Sequence, residues 1–365
     1  MRYPLLVNIQ IMSRTGLLCY VLLLICSGIP VGAQGVPPAV MQKIYDEVKT
    51  PYKYGVVLSE PAEGTMVDSP TIFRNKGKWW MTYIVFDGKG YETWIAKSRD
   101  LLHWETLGRV MSFTENTWDA TQKAGYVSLV DHKWGGSYKV KKFRNRYWAS
   151  YLGGSEKGYE AGQLGIGMSS TEDISRHAEW ERLPKPVLSA SDADARWYDD
   201  ETIYKSLVIH DRDKKTGYPF VMYYNAKGKK KGTDGRGFES IAMAVSEDMV
   251  HWKRFGDSPL ITRQLGICGD AQIAKIKDVY VMFYFGAFWK PRAFERFACS
   301  YDLVNWTDWE GDDLISPSEP YDETYAHKPW VIKWKGVVYH FYNAVGQQGR
   351  VIALATSRDL RAGKK

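Results

Sequence analysis

Several strand-like segments of this chain open on polar residues suited to proton chemistry, and no two of them open alike. "TMVDSP" carries Asp68, "RWYDDETIYKS" carries Asp199, Asp200 and Glu201, "CGDAQIAKI" carries Asp270, and "YDETYAHKPW" carries His327. A further segment, "WDATQKAGYVS", is preceded by Trp118 and Asp119. Asp68, Asp270 and His327 stand 11, 10 and 12 residues ahead of the aromatic that begins the next strand (Trp79, Tyr280 and Tyr339). Matched offsets imply matched depth if the strands are equivalent. Several carboxylates and an imidazole in one cleft suit acetal cleavage, where one group protonates the leaving oxygen and another activates water. Crowded acids also separate each other's pKa values, which divides an acid from a base. Asp199 has two acidic neighbours and reads as a turn cap. Trp118, Arg196, Trp197, Trp289 and Trp330 lie in loops or strand starts near the same segments and are candidate substrate contacts. Two glycines in "WGGSYKVKKF", residues 134–143, would let backbone approach a ligand closely.

The elements that must bring these residues together repeat. "SRDLLHW" (98–104), "SEDMVHW" (246–252) and "SYDLVNW" (300–306) are one phrase, with a looser copy ending at Trp180 and a short one at 357–360. Each follows a strand-like run, which follows an aromatic-rich strand such as "KWWMTYIVF", which follows one of the polar-headed segments. The phrase itself reads as a turn, since Ser and Asp side chains accept from nearby backbone amides. Five such units begin near Asp68, Gly125, Asp200, Gly269 and Ala326, at a spacing of about 55–75 residues. Four-stranded units repeated radially predict an all-β fold, a five-bladed β-propeller over 51–361. The fifth unit lacks an outer strand, and "KYGVVLSE" at 53–60 is the segment placed to supply it. The inner strands of a propeller converge on its axis, so their starts share one funnel. Only "PAVMQKIYDEV" at 38–48 shows helical periodicity.

Residues 1–33 carry Arg14, an apolar run from Gly16 and then Val31-Gly32-Ala33, the layout of a signal peptide cleaved after Ala33. Met12 is an alternative start, and acylation at Cys26 an alternative fate. Residues 34–50 then form an N-terminal segment. Loss of Arg2 and Arg14 takes the formal charge from +7 to +5, and no basic stripe suited to nucleic acid is present. Export to the periplasm or beyond is expected, with no membrane span in the mature chain. Cys268 and Cys299 would then be one disulfide or two buried thiols. No ligand spacing demands a cofactor or a central cation.

With "VDSPTIF", "KWWMTY", "SRDLLHW", "SEDMVHW" and "SYDLVNW", the region from 60 to 360 resembles the five-bladed propeller glycosidases, the superfamily holding glycoside hydrolase families 43, 32, 117 and 130. The resemblance implies an exported glycosidase acting on oligosaccharides, with Asp68 as general base. By families 43 and 32 it implies Glu201 as general acid, and by family 43 a tuning Asp at Asp119 or Asp131. By family 117 it implies Asp270 paired with His327, which stand 57 residues apart. The donor is thus Glu201 or His327. A funnel suits exo action, with inversion at the anomeric carbon. A family-130-like phosphorylase would instead use Arg196 and Lys205 to hold phosphate, and a glycan-binding propeller would have no turnover.

Overall fold

The computed structural model describes residues 35–175 and 180–361, so the leader expected over 1–33, with Cys26, lies outside the described residues. Helix α1 (Pro38–Val48) coincides with the one helical pattern in the sequence and starts on a proline, whose missing N–H costs nothing there. It buries Met41, Ile44 and Val48 against Val281, Phe283, Val331 and Val338. Among the described residues, no helix is long and apolar enough to cross a membrane.

The remainder is antiparallel sheet. β1 (Tyr52–Leu58) stands alone at first; β2 (Met66–Asn75), β3 (Lys78–Phe86), β4 (Tyr91–Ser98) and β5 (Trp104–Met111) then pair in sequence. β6 (Gln122–Val127), β7 (Tyr147–Gly154) and β8 (Gly165–Thr171) follow, with β9 (Glu181–Arg182) and β10 (Leu188–Ser189) both on β8. A third group is β11 (Thr202–His210), β12 (Phe220–Lys227), β13 (Glu239–Ser246) and β14 (Lys253–Arg254). A fourth is β15 (Ile267–Ile276), β16 (Val279–Ala287), β17 (Ala293–Ser300) and β18 (Thr307–Asp308). The last is β19 (Tyr325–Trp334), β20 (Val337–Gly346) and β21 (Gly349–Thr356), and β1 pairs antiparallel along β21. Single parallel bridges, Glu239 to Ile267 and Ala293 to Tyr325, join the third, fourth and fifth groups.

The Ser-x-Asp phrase is a turn in every full copy. Ser300 Oγ accepts from the amides of Asp302 and Leu303 at 3.1 and 3.0 Å. Asp302 Oδ1 accepts from Val304 and Asn305 at 2.9 and 2.7 Å, and Trp306 Nε1 donates to the Leu303 carbonyl. Ser98–Trp104 and Ser246–Trp252 repeat this pattern.

The second unit departs from expectation. Its inner strand starts at Gln122 and ends at Val127, and the chain then leaves the sheet. The following loop touches the far ends of the other inner strands: Leu129 N donates to Val208, Lys139 bridges Arg74, Lys133 bridges Lys275, and Lys333 N donates to the Tyr138 hydroxyl. The glycines of "WGGSYKVKKF" therefore serve a plug at the end opposite the polar strand starts, not a ligand contact. Cys268 and Cys299 are buried free thiols, with burial pushing the Cys268 thiol up to about 12.

Candidate active site

Four of the inner strands carry the same irregularity near their starts. The ladder slips by one residue after Asp68 in β2, Tyr204 in β11, Gly269 in β15 and His327 in β19. The next residue in each case, Ser69, Lys205, Asp270 and Lys328, has a left-handed φ of 45°, 28°, 57° and 63°. A bulge of this kind re-aims a side chain, and strained non-glycine residues at φ above zero cluster at functional sites when they face a cavity. Here each bulge turns a polar residue into a cavity of about 240 Å³, just under the usual range of small-molecule sites (roughly 300–1,000 Å³) and of a size for one sugar ring. Asp68 and His327 hold equivalent positions. Asp270 sits one residue further on, equivalent to Ser69, so its match in depth is offset by one.

The floor is a network of fixed charges. Asp68 Oδ2 accepts from Lys328 Nζ at 2.7 Å and Arg350 Nη1 at 2.6 Å, and Oδ1 accepts from the Ser69 amide at 2.7 Å. Burial alone would raise this carboxyl, but Lys328, Arg350 and His327 outweigh it and hold it far below the ordinary range. Asp270 Oδ1 accepts from Asn225 Nδ2, while the Asp270 amide donates to Asn225 Oδ1, both at 2.8 Å. Lys205 lies 3.5 Å from Asp270 and over the Tyr126 ring. Burial lowers the Lys205 ammonium against the pull of Asp270. His327 Nδ1 lies 3.0 Å from the Asn343 carbonyl, which can only accept, so Nδ1 carries the proton. Burial, then Lys328 and Arg350, push His327 down to about 3, so the ring is neutral with Nε2 as an acceptor.

Two further carboxylates enter from the sides. Glu160, at φ 49°, rides the loop between β7 and β8. That loop is tied down by Gln122 Nε2, which donates to the Glu156 and Gly158 carbonyls at 2.8 Å. The Tyr91 hydroxyl donates to Glu160 at 3.3 Å. Glu239 opens β13 at the seam with β15, its amide donating to the Gly266 carbonyl at 2.9 Å. Burial raises both side chains. Asp68 and Asp270 add to this at Glu160, against Lys328 and Arg350. At Glu239, Glu160 and Asp270 add to it, against Tyr204 and Lys227, and the carboxyl rises to about 7.

Of the residues expected at the site, Asp68, Asp270 and His327 line this cavity together. Glu201 does not. It precedes β11, half-exposed, and pairs with Lys227 at 2.6 Å. Trp118 packs on the Tyr151 ring, and Trp330 is 3% exposed in the core. Trp289 lies behind the wall with Nε1 on the Ile267 carbonyl. Trp197 is exposed but turns away to the Asp257 carbonyl, and Arg196 faces Asp257 at 3.8 Å. Asp119, Asp199 and Asp322, which share an aromatic-Asp motif, are buried scaffold. Each accepts from a second-strand tyrosine (Tyr151, Tyr224 and Tyr342) and pairs with a cation (Arg182, Arg254 and Lys53). Asp131 accepts from Ser137 in the far-end plug.

Glu160, Glu239 and Arg350 escape a comparison of inner-strand starts because none of them lies on an inner strand. A usable signal exists for Glu239. Counting back seven from Ser98, Ser246 and Ser300 lands on Tyr91, Glu239 and Ala293, all of which line the cavity.

No family model matches the chain, and no curated protein is significantly similar to it. Solved structures are similar. One, a BT0996 complex with RGII, is 49% identical, with a TM-score of 0.86 over 89% of this chain and 96% of that one. A second, described as "Glycoside hydrolase", is 49% identical at a TM-score of 0.85 with the same coverage of both chains. A thermostable family-43 glycoside hydrolase matches at 14% identity and a TM-score of 0.58, over 81% of this chain and 91% of that one, a likeness of fold. The nearly all-β architecture, the acid-lined cavity and the 49% identity over 89% of the chain place it in the propeller-fold glycoside hydrolases, and it is a glycosidase.

Proposed function

We propose that the protein is a hydrolase that removes a terminal sugar from an oligosaccharide, with Glu239 as general acid and Glu160 as the carboxylate that activates water. The observation that carries this is the contrast between the cavity's acids. A carboxyl held near 7 is about half protonated at neutral pH, so a large fraction of the enzyme can deliver that proton to a leaving oxygen. Asp68, clamped by two cations, is too weak a base to take one. His327, neutral to about pH 3, has no second proton to give. Asp68, Asp270, Lys205 and His327 instead offer fixed donors and acceptors for sugar hydroxyls. Glu160 is mounted by Tyr91 and Gln122 and Glu239 by Gly266, so the two come from different seams between sheets. Two acids flanking a glycosidic bond serve either stereochemical outcome, and the outcome proposed is inversion, in which the base activates water directly.

The scaffold in this reading is a five-bladed ring over 51–361, closed by β1 on β21, with the funnel at the inner-strand starts. A single funnel plugged at its far end favours exo action. The phosphorylase alternative loses its support, since Arg196 stands outside the cavity on Asp257 while Lys205 is inside it on Asp270. The similar BT0996 complex with RGII makes an RGII oligosaccharide the first substrate to try. No cofactor is needed for this chemistry, and the 1–33 leader would export the enzyme to the periplasm or beyond, or tether it by Cys26.

The test is digestion of RGII oligosaccharides and a panel of aryl glycosides, with and without inorganic phosphate. Proton NMR follows the first anomer formed. One free monosaccharide of inverted configuration is expected, independent of phosphate. Release of a sugar phosphate, or of internal fragments, contradicts the proposal.

A further inference from the structure

Phe288 is 60% exposed, the most exposed of the large apolar side chains described, yet it lines the cavity, so it stands at the mouth. Its φ is +64°, a conformation unfavourable for a bulky residue. Burial does not offset that strain. The backbone is held there from below. A Cβ at Gly266 would lie 2.2 Å from the Ala287 carbonyl oxygen and 3.0 Å from the Phe288 carbonyl carbon, so the two segments touch directly. The next residue, Trp289, is anchored inward through Ile267 and the edge of Phe294, which leaves Phe288 pointing outward. Its ring meets Tyr325 edge-on at 6.2 Å, and Ile267, Phe285, Ala287 and Ala293 continue the apolar wall inward. Strain and exposed apolar area kept together at a cavity mouth are features of a ligand contact.

The side of the cavity matters. Gly266, beneath Phe288, accepts the amide of Glu239, and Ile267 is its bridge partner. A general acid must stand at the leaving-group oxygen. We infer that Phe288, braced by Tyr325, is the stacking platform of the leaving-group subsite and takes a sugar that presents a C–H or methyl-bearing face. This rests on the assignment of Glu239 as the acid. Phe288 is then a specificity residue that binds the departing part of the substrate and leaves the bond-breaking groups untouched.

The experiment compares two substrates of the sugar that wild type releases in the digestion above: its natural oligosaccharide and its glycosyl fluoride, whose leaving group fills no subsite. Phe288→Ala is expected to lower kcat/KM on the oligosaccharide about tenfold, mainly through KM, and to leave the fluoride unchanged. Phe288→Trp should restore the oligosaccharide rate. Equal losses on both substrates, or no loss on either, overturn the inference. Phe288→Gly controls for folding, because glycine is at ease at this φ. It should melt at or above the wild-type temperature, and a marked drop would make Phe288 structural. Glu239→Gln on the same pair separates the two claims. Loss on the oligosaccharide with retention on the fluoride upholds the acid, and no loss sinks that assignment whatever Phe288 does.

Discussion

At the scale of residues, the cavity holds four carboxylates in two electrostatic classes. Asp68 and Asp270 are compensated by Lys328, Arg350, Lys205 and Asn225 at close range. Glu160 and Glu239 are half-buried in the cavity wall with too little compensation and rise. Removing one partner from a buried ionic cluster leaves the rest uncompensated. Asp68→Asn strands Lys328 and Arg350, so we expect a stability loss of about 3–5 kcal/mol in denaturant titration. A variant as stable as wild type would show that solvent already screens the pair. Proton linkage gives His327 a sign as well. Its folded pKa of about 3 lies below the ordinary value of 6.5, so its contribution is complete above pH 6.5 and is lost as pH falls toward 3. The candidate site is partly legible at this scale. Asp68, Asp270 and His327 stand out as unlike residues at like offsets. Glu201 misleads because "YDDE" looks like a strand start, whereas its Asp199 is the buried scaffold acid and the strand reaches the cavity three residues after Glu201, at Tyr204.

At the scale of elements, the site depends on a bulge and the stability of the fold on a turn. The bulge brings two consecutive residues to the cavity from one strand, as Asp68 with Ser69 or His327 with Lys328. Sequence periodicity does not reveal it, because these strands are buried on both faces and carry no inside–outside alternation in which a one-residue slip would show. The Ser-x-Asp turn is legible because it is local and its hydrogen bonds run between residues two or three apart. Asp302→Ala leaves the Val304 and Asn305 amides without their acceptor. We expect a loss of about 1–3 kcal/mol in stability with kcat/KM unchanged. A fall in kcat/KM would mean that the turn reaches the cavity. The loop after β6 misleads for a related reason: its glycines permit close approach, but only the fold shows that the partners are strand ends.

At the scale of the whole molecule, chain order and spatial order part most widely at β1. β1 comes first in sequence and covers the outer edge of the last sheet, with Lys53 reaching the buried Asp322. An uncovered edge beside the buried Ala353, Leu354 and Ala355 would invite association. A chain beginning at Glu60 should therefore fail to give soluble monomer by size-exclusion chromatography. A monomeric, active truncation would show that the edge of β21 needs no cover from β1. The need for that strand is legible from repeat counting, since four units have an outer strand and the fifth does not. The placement of Glu160 is not, because it depends on how one loop lies over a neighbouring sheet.

Glu239 carries the proposed mechanism, and the pH dependence of kcat/KM tests it most directly. A general acid with a pKa of about 7 acts in its protonated form, so wild-type activity should fall as pH rises through 7. Glu239→Gln should lose roughly 10²- to 10⁴-fold in kcat/KM on an unactivated oligosaccharide and show no such alkaline limb. A Glu239→Gln enzyme that keeps its rate, or keeps the limb, would place the proton donor elsewhere and contradict the mechanism.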